Sequence, residues 1–317
     1  MMDMTVSGRP FTGVALKIIS TVAFAGMATL IKYVADRYPA GEVAFFRSAF
    51  ALIPVLIWAA WLGDFPTVFR TPRLGGHLLR SIAGGASMFF GFTALALLPL
   101  SDATAIGYAS PLLTVVFAAL LLGERIWIYR WSAVIVGLLG VMVILSDYIA
   151  PTPGAPPRSL VGAGASLVGA LLGALAATQT RRLTRIEPTD TIVVYFSLFT
   201  ALFMLATSPF GWVMPAPVDW LFLVGCGICG GLGQVLLTLS YRYGDASLIA
   251  PFEYVSMIWA VIISVFLFDY VPTLTVLIGS AIVIAAGLFV IYREHRLGIE
   301  RRKSKQAQTP TSGLGPQ

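Results

Sequence analysis

Six stretches of this chain run for 21 to 28 residues without a single Lys, Arg, Asp or Glu: Ser81 to Ser101, Ala103 to Gly123, Ser159 to Thr180, Thr191 to Val218, Trp220 to Tyr241 and Tyr270 to Tyr292. About 20 apolar residues in a helix cross the hydrocarbon core of a bilayer, so each stretch is long enough to span. A membrane β-barrel would show strands of roughly ten residues with alternating polarity, and these stretches do not alternate. Charged residues make up 11% of the 317-residue chain, against about 25% in a soluble domain. With two cysteines and glycines of no short period, a disulfide scaffold, a coiled coil and a disordered chain are excluded. The fold class is an all-α membrane protein.

Spans interrupted by one or two charges lie near Phe11 to Ile31, Gly41 to Leu62, Trp131 to Ser146 and Ala246 to Phe268. The spacing predicts ten transmembrane helices over 12–33, 41–62, 77–97, 102–122, 129–148, 159–180, 190–209, 218–241, 246–268 and 273–292. The first apolar stretch contains Lys17 and has no small-residue cleavage site before Lys32, so it reads as the first span rather than a signal peptide. With the amino terminus inside, the inner loops hold Arg9, Arg70, Arg73, Arg80, Arg125, Arg130, Arg181, Arg182, Arg185, Arg242 and the basic tail from Arg293 to Lys305. The outer loops hold only Lys32, Arg37 and Arg158. Both termini are therefore expected in the cytoplasm. The net charge of +6 follows from this topology, so no nucleic-acid partner is expected; the tail suits anionic membrane lipids.

The segment Pro151-Thr152-Pro153-Gly154-Ala155-Pro156-Pro157 cannot continue a helix and falls near the middle of the chain. It divides residues 1–150, a first five-helix unit, from residues 159–292, a second, with 151–158 as a Pro-rich linker and 293–317 as a basic cytoplasmic tail. Asp102-Ala103-Thr104-Ala105-Ile106 opens the fourth helix and Asp245-Ala246-Ser247-Leu248-Ile249 the ninth, each with a proline soon after, Pro111 and Pro251. An odd number of spans per half sets the two halves in opposite orientations. Two inverted five-helix repeats are a recurring architecture of secondary transporters, with the substrate near the midplane.

Ionisable groups inside a bilayer cost at least ~2.5–3.5 kcal/mol each on insertion scales. Glu253 lies well inside the ninth span, with Ser256, Ala260 and Ser264 following at spacings of three, four and four, a narrow stripe turned towards the bundle. It reads as a substrate or proton site, or else as a buried structural ion pair. Arg47 in the second span and Lys17 in the first are its candidate partners; Lys17 is also placed to snorkel to the interface. Lys32 and Glu42 fall near the outer mouth and are expected to be solvated. Gln234 and Thr238 form a second polar stripe in the eighth span, equally explained by a bond between helices.

Among the aromatics, Phe89, Phe90, Tyr108, Tyr195, Phe252, Tyr254 and Trp259, those beside Pro111, Pro251 and Glu253 are the better candidates to line a cavity and stack on a planar solute. The Gly162 to Gly173 and Gly225 to Gly233 stretches suit close helix approach. Cys226 and Cys229 form a C-x-x-C inside an apolar span, where packing suffices. His77 and His295 fall at membrane-face positions, and no hydrolase or zinc-protease motif is present. No catalytic residue, metal or cofactor is expected, and the chain does not read as an enzyme.

Several of these residues together resemble the EamA family of the drug/metabolite transporter superfamily. They are Lys32, Tyr38-Pro39 and Phe46-Arg47; Leu98-Pro99-Leu100-Ser101-Asp102-Ala103; Pro111 with Gly123-Glu124-Arg125; Arg130-Trp131; and Ala250-Pro251-Phe252-Glu253-Tyr254 with Ile258-Trp259-Ala260. The resemblance runs from Phe11 to Tyr292. One departure stands out, Asp269-Tyr270 where the second half of the family closes its fourth helix with Gly-Glu. The resemblance implies a ten-helix secondary carrier of the bacterial inner membrane that alternates access to a central cavity. The superfamily includes carriers of amino acids, S-adenosylmethionine, riboflavin and nucleotide sugars. The proline, aromatic and acidic cluster of the ninth helix looks most like the S-adenosylmethionine and riboflavin uptake branch.

The expected substrate-binding residues are therefore Glu253, Arg47 and Gln234 for polar contacts, with Tyr108, Phe252, Tyr254 and Trp259 packing or stacking. The expected partner is a small-molecule solute, with proton coupling through Glu253. An amino-acid or related metabolite exporter is the alternative within the class; a membrane receptor or scaffold, or an intramembrane enzyme, lies outside it.

Overall fold

The computed structural model describes residues 10–63, 65, 67–123, 126–149, 159–183, 186–243 and 250–308. The Pro-rich linker 151–158, the motif at 245–249 and Glu124-Arg125 lie outside the described residues, as do the side chains of Pro251 and His295. The described elements are α1 (Pro10–Val34), α2 (Ala40–Leu62), α3 (Leu74–Leu97), α4 (Leu100–Gly107), α5 (Ala109–Leu122), α6 (Ile128–Ile149), α7 (Leu160–Leu183), α8 (Thr189–Leu205) and α9 (Pro217–Tyr243). After these come a 3-10 turn at Ala250–Tyr254, α10 (Val255–Phe268) and α11 (Leu274–Gln308). Eight stretches are long and apolar enough to span, α4 and α5 together making one of them, and the shorter apolar segments Asp190–Leu205 and Phe252–Phe268 bring the number to ten.

Element ends follow local chemistry. Pro39, Pro99 and Pro188 stand immediately before α2, α4 and α8 with φ near −60°, where the fixed ring geometry suits a helix start and no internal hydrogen bond is lost. Gly63 and Gly123 close α2 and α5 in the left-handed region, the usual helix stop. The predicted spans agree with the helices to within a few residues, with three differences. The fourth span is two helices, broken at Tyr108. The ninth begins as a 3-10 turn and becomes α-helical only at Val255. The tenth does not stop at 292; its backbone remains helical through the basic tail to Gln308.

Packing interleaves the halves. α1 lies along α9, α3 along α7, α6 along α11, α2 against α8 and α9, and α3 against α8. Exchanging the first five spans for the last five leaves this set of major partners unchanged. Glycine permits the closest approaches: a Cβ on Gly169 would stand 3.2 Å from the backbone of both Ser87 and Gly91. Gly162 faces Leu97 and Leu98 while Gly173 faces Ser87, so α7 runs antiparallel to α3. Gly231 lies against the Pro54 ring, which lets α2 keep a proline in its interior. The interior holds Ile106, Ile144, Leu223 and Val283 fully buried, whereas Ile57, Leu139, Leu221 and Phe266 are more than half exposed around the outside. An apolar girdle of that kind is suited to lipid rather than water.

Candidate functional site

The breaks in the fourth and ninth spans face each other. Tyr108 joins α4 to α5 at φ −67°, ψ −4°, and Tyr254 joins the 3-10 turn to α10 at φ −67°, ψ −13°. Their rings lie 5.3 Å apart at 49°, an edge-tilted contact of favourable geometry. The Tyr108 hydroxyl makes a short hydrogen bond with Ser256 Oγ and donates to the Glu253 carbonyl at 3.4 Å. Ser256 Oγ also donates to that carbonyl, at 2.7 Å. A 3-10 start leaves the Glu253 carbonyl without the ordinary helical partner, and two hydroxyls take its place.

Glu253 turns its carboxylate away from this contact, towards α1. Its side chain remains 54% exposed, and Oε2 stands 3.7 Å from Lys17 Nζ, which is 3% exposed. Lys17 therefore does not snorkel: Glu253 is its ion-pair partner, and Arg47 is not part of that pair. Beside it, Trp259 Nε1 donates to Thr21 Oγ1 at 3.1 Å, tying α10 to α1. The stripe below Glu253 faces inwards as predicted, with Ala260 and Ser264 buried and Ser264 Oγ accepting from Ser101 N at 3.0 Å. Phe252 is half-buried on the same turn. Five of the seven predicted site residues, Tyr108, Phe252, Glu253, Tyr254 and Trp259, thus gather at the facing breaks.

Arg47 and Gln234 lie elsewhere, lining a void of about 10 Å³ between α2, α8 and α9. Thr238 Oγ1 donates to the Gln234 carbonyl at 2.8 Å, a bond within α9 rather than between helices. Cys226 is buried and donates to Leu223 O at 3.0 Å, and both cysteines are free. Two sequence expectations are overturned. Glu42 is 1% exposed and accepts from Val213 N at 3.1 Å, because the 206–216 connection folds over the start of α2. His77 is 1% exposed, stacked on Tyr195 at 4.8 Å and 3.8 Å from Glu187; it faces the bundle, not lipid.

A cavity of about 280 Å³ opens next to the Tyr108 break, between α1, α3, α4, α5 and α7, close to the ~300–1,000 Å³ typical of small-molecule sites. Its polar lining is Ser87, Thr104, Ser110 and Ser166, set among Gly91, Gly107 and Gly169. Ser87 donates to Gly169 O at 2.7 Å, Ser166 to Ala103 O at 3.1 Å and Thr104 to Leu100 O at 2.7 Å. Their hydroxyl hydrogens are committed to backbone, so they present lone pairs to the cavity and suit a solute with N–H or O–H donors. None of the seven predicted residues lines this cavity. Its signal was the small-residue face Ser166, Gly169, Ala170 and Gly173 at helical spacing, which reads as packing alone.

Polar ties between the halves are also found at the end of the bundle away from the chain termini. Asp102 is fully buried and accepts from Tyr148 at 2.6 Å, Tyr270 at 2.9 Å and Ser101 at 2.9 Å. Asp219 accepts from Arg37 and Tyr38, each at 2.7 Å.

The sequence profile of the EamA-like transporter family matches this chain twice, over residues 11–146 and 160–293. An S-adenosylmethionine uptake transporter of Rickettsia felis is 28% identical over 298 residues, 93% of this chain and 97% of its own length. A riboflavin transporter of Vibrio cholerae is 28% identical over 90% of this chain and 95% of its own. A pseudopaline exporter of Pseudomonas aeruginosa is 28% identical over 87% and 94%. A solved crystal structure, 22% identical, superposes with a TM-score of 0.64 over 90% of this chain and 99% of its own, a likeness of fold. With the profile covering both halves of a ten-helix membrane bundle, the chain belongs to the EamA-like transporter family.

Proposed function

We propose that this chain takes up a small vitamin- or nucleoside-like solute, such as riboflavin or S-adenosylmethionine, across the bacterial inner membrane by alternating access. The observation that carries the reading is the pair of facing helix breaks beside a cavity, since irregular backbone at membrane depth belongs where it is buried or lines a cavity. The two five-helix units, 1–150 and 159–292, act as inverted repeats. Supporting this are the double family match, the exchange symmetry of the helix partners and the antiparallel run of α7 against α3. Both termini lie in the cytoplasm, following the basic inner loops.

The solute occupies the cavity beneath Tyr108. Its donors meet the hydroxyls of Ser87, Thr104 and Ser110, and a planar part packs on Phe92, while Tyr108, Tyr254 and Trp259 border the neighbouring breaks. Glu253 and Lys17 form the charged end, and Glu253 gives up Lys17 for a proton or a cationic solute group, which couples binding to the rocking of the halves. Uptake follows the relatives named for uptake; the equally similar exporter favours the outward direction as the second reading.

Counterflow in proteoliposomes, with riboflavin, S-adenosylmethionine, amino acids and nucleosides as the panel, tests this. Exchange of riboflavin or S-adenosylmethionine above empty vesicles is the expected result. Exchange of amino acids alone moves the chain to the exporter reading, and no exchange by folded protein removes the solute class proposed here.

A further inference from the structure

A second polar centre lies between α2, α3, α8 and α9, and among the described residues it contains cations without acids. Arg47 is 7% exposed, yet its Nε is buried with no hydrogen-bond partner. Its guanidinium packs on bare backbone: a Cβ on Gly230 would stand 3.0 Å from Nε. Together with Gln234, Phe196 and Ser197 it lines the void of about 10 Å³, room for about one water-sized particle. Arg80, from α3, lies on the Phe196 ring, which itself lines the void. Its Nε donates to Thr180 Oγ1 at 2.7 Å, and its Cζ stands 4.2 Å above the Phe196 ring. Its Nη1 is buried without a partner. Arg47 is the charged group whose field reaches Arg80.

The contrast with the other cations is sharp. Arg37 has Asp219 at 2.7 Å and Lys17 has Glu253 at 3.7 Å. Glu187, the acid on the approach to Arg80, is held by Thr71 at 2.6 Å and faces His77 at 3.8 Å. Burying one uncompensated ion costs several kcal/mol even after relaxation, and two like charges add their repulsion. A guanidinium with free donors facing a small void is the arrangement that an anion completes.

We infer that Arg47 and the Gln234 amide form a binding site for one small monovalent anion at the α2–α8–α9 void, with the charge of Arg80, on the Phe196 ring, adding to the field at that site. Chloride from solution and the carboxylate of a transported solute share this chemistry. Only the second source rests on the carrier reading; the site itself does not.

The test uses the full chain in nanodiscs, with its unfolding temperature followed in the sodium salts of chloride, formate and gluconate at equal ionic strength. Chloride is expected to raise it by several degrees, saturably, over gluconate, which is too large for the void, and the larger formate to raise it less than chloride does. Arg47→Gln is expected to abolish the saturable rise and Arg80→Gln to weaken it at least threefold in midpoint. Gln234→Leu, which leaves both charges in place, should weaken it severalfold and serves where an arginine variant fails to fold. Equal stability in all three salts overturns the site, as does an unchanged rise in Arg47→Gln. Counterflow then separates the sources. A requirement for chloride identifies the free ion; competition by chloride, with Arg47→Gln raising KM for carboxylate solutes alone, identifies the solute. Since the stability arm needs no transport, failure of the carrier reading leaves the site intact.

Discussion

The fourth and ninth spans occupy matching places in the two halves and have parted in chemistry. The fourth is broken at Tyr108 and the described part of the ninth opens as a 3-10 turn; each runs on as α-helix just after a tyrosine, and each closes on a left-handed residue, Gly123 in α5 and Asp269 in α10. The fourth carries its charge at the start, where Asp102 is fully buried and locked by three hydroxyls. The ninth carries Glu253 at the break itself, half-exposed and loosely paired. One carboxylate is committed to holding the halves together, the other is free to change partner. On the reading proposed above, the two spans keep a similar backbone irregularity while one anchors and the other binds.

Glu253→Gln should have the largest effect. It removes the partner of a buried lysine and, in the proposed mechanism, the coupling group, so exchange should fall at least tenfold and lose its dependence on a pH gradient. Unchanged pH-dependent counterflow would end the assignment of coupling to the ninth span. Asp102→Ala removes the carboxylate that accepts from the Tyr148 and Tyr270 hydroxyls, at about 1–3 kcal/mol for each bond. Denaturant unfolding in detergent should show that loss; near-wild-type stability would mean the fourth span does not anchor.

Tyr108→Phe keeps the ring against Tyr254 but deletes the hydroxyl on Ser256 and the Glu253 carbonyl, and should cost about 1 kcal/mol while raising KM more than it lowers kcat. The mirror change, Tyr254→Phe, is the control. Smallest is Asp269→Gly. Asp269 has φ 49°, the one non-glycine residue with positive φ among those described, and a side chain there costs roughly 1–2 kcal/mol, less for Asp. The glycine found at the matching place in α5 should raise the unfolding temperature slightly; a fall would show that the Asp269 side chain has a role of its own.

This last pair also explains the departure seen in the sequence. Asp269 takes the helix-stop position of Gly123, and Tyr270, standing where the first half has Glu124, bonds Asp102 across the halves. The number of spans was legible because desolvation is a property of each stretch by itself. So was the cluster around Glu253, because an acid, a proline and aromatics within five residues are costly to place in lipid. The identity of the partner was not: Lys17 and Glu253 lie 236 residues apart, and nothing local distinguishes Lys17 from Arg47. The cavity was the least legible, since serine and glycine give the same pattern whether they pack a helix or face a solute.

Interleaving of the halves also bears on how the chain is made. Ser87 of α3 meets Gly169 of α7 82 residues later, and Thr21 of α1 meets Trp259 after 238. At roughly 5–20 residues per second of synthesis, α3 waits about 4–16 s for its neighbour and α1 about 12–48 s. During that interval the glycine-rich faces and Lys17 stand in the bilayer without their native partners. The early helices are thus clients of whatever shields them at the insertion site, and a ribosome stalled after the fifth span leaves a product that the membrane's proteases can recognise.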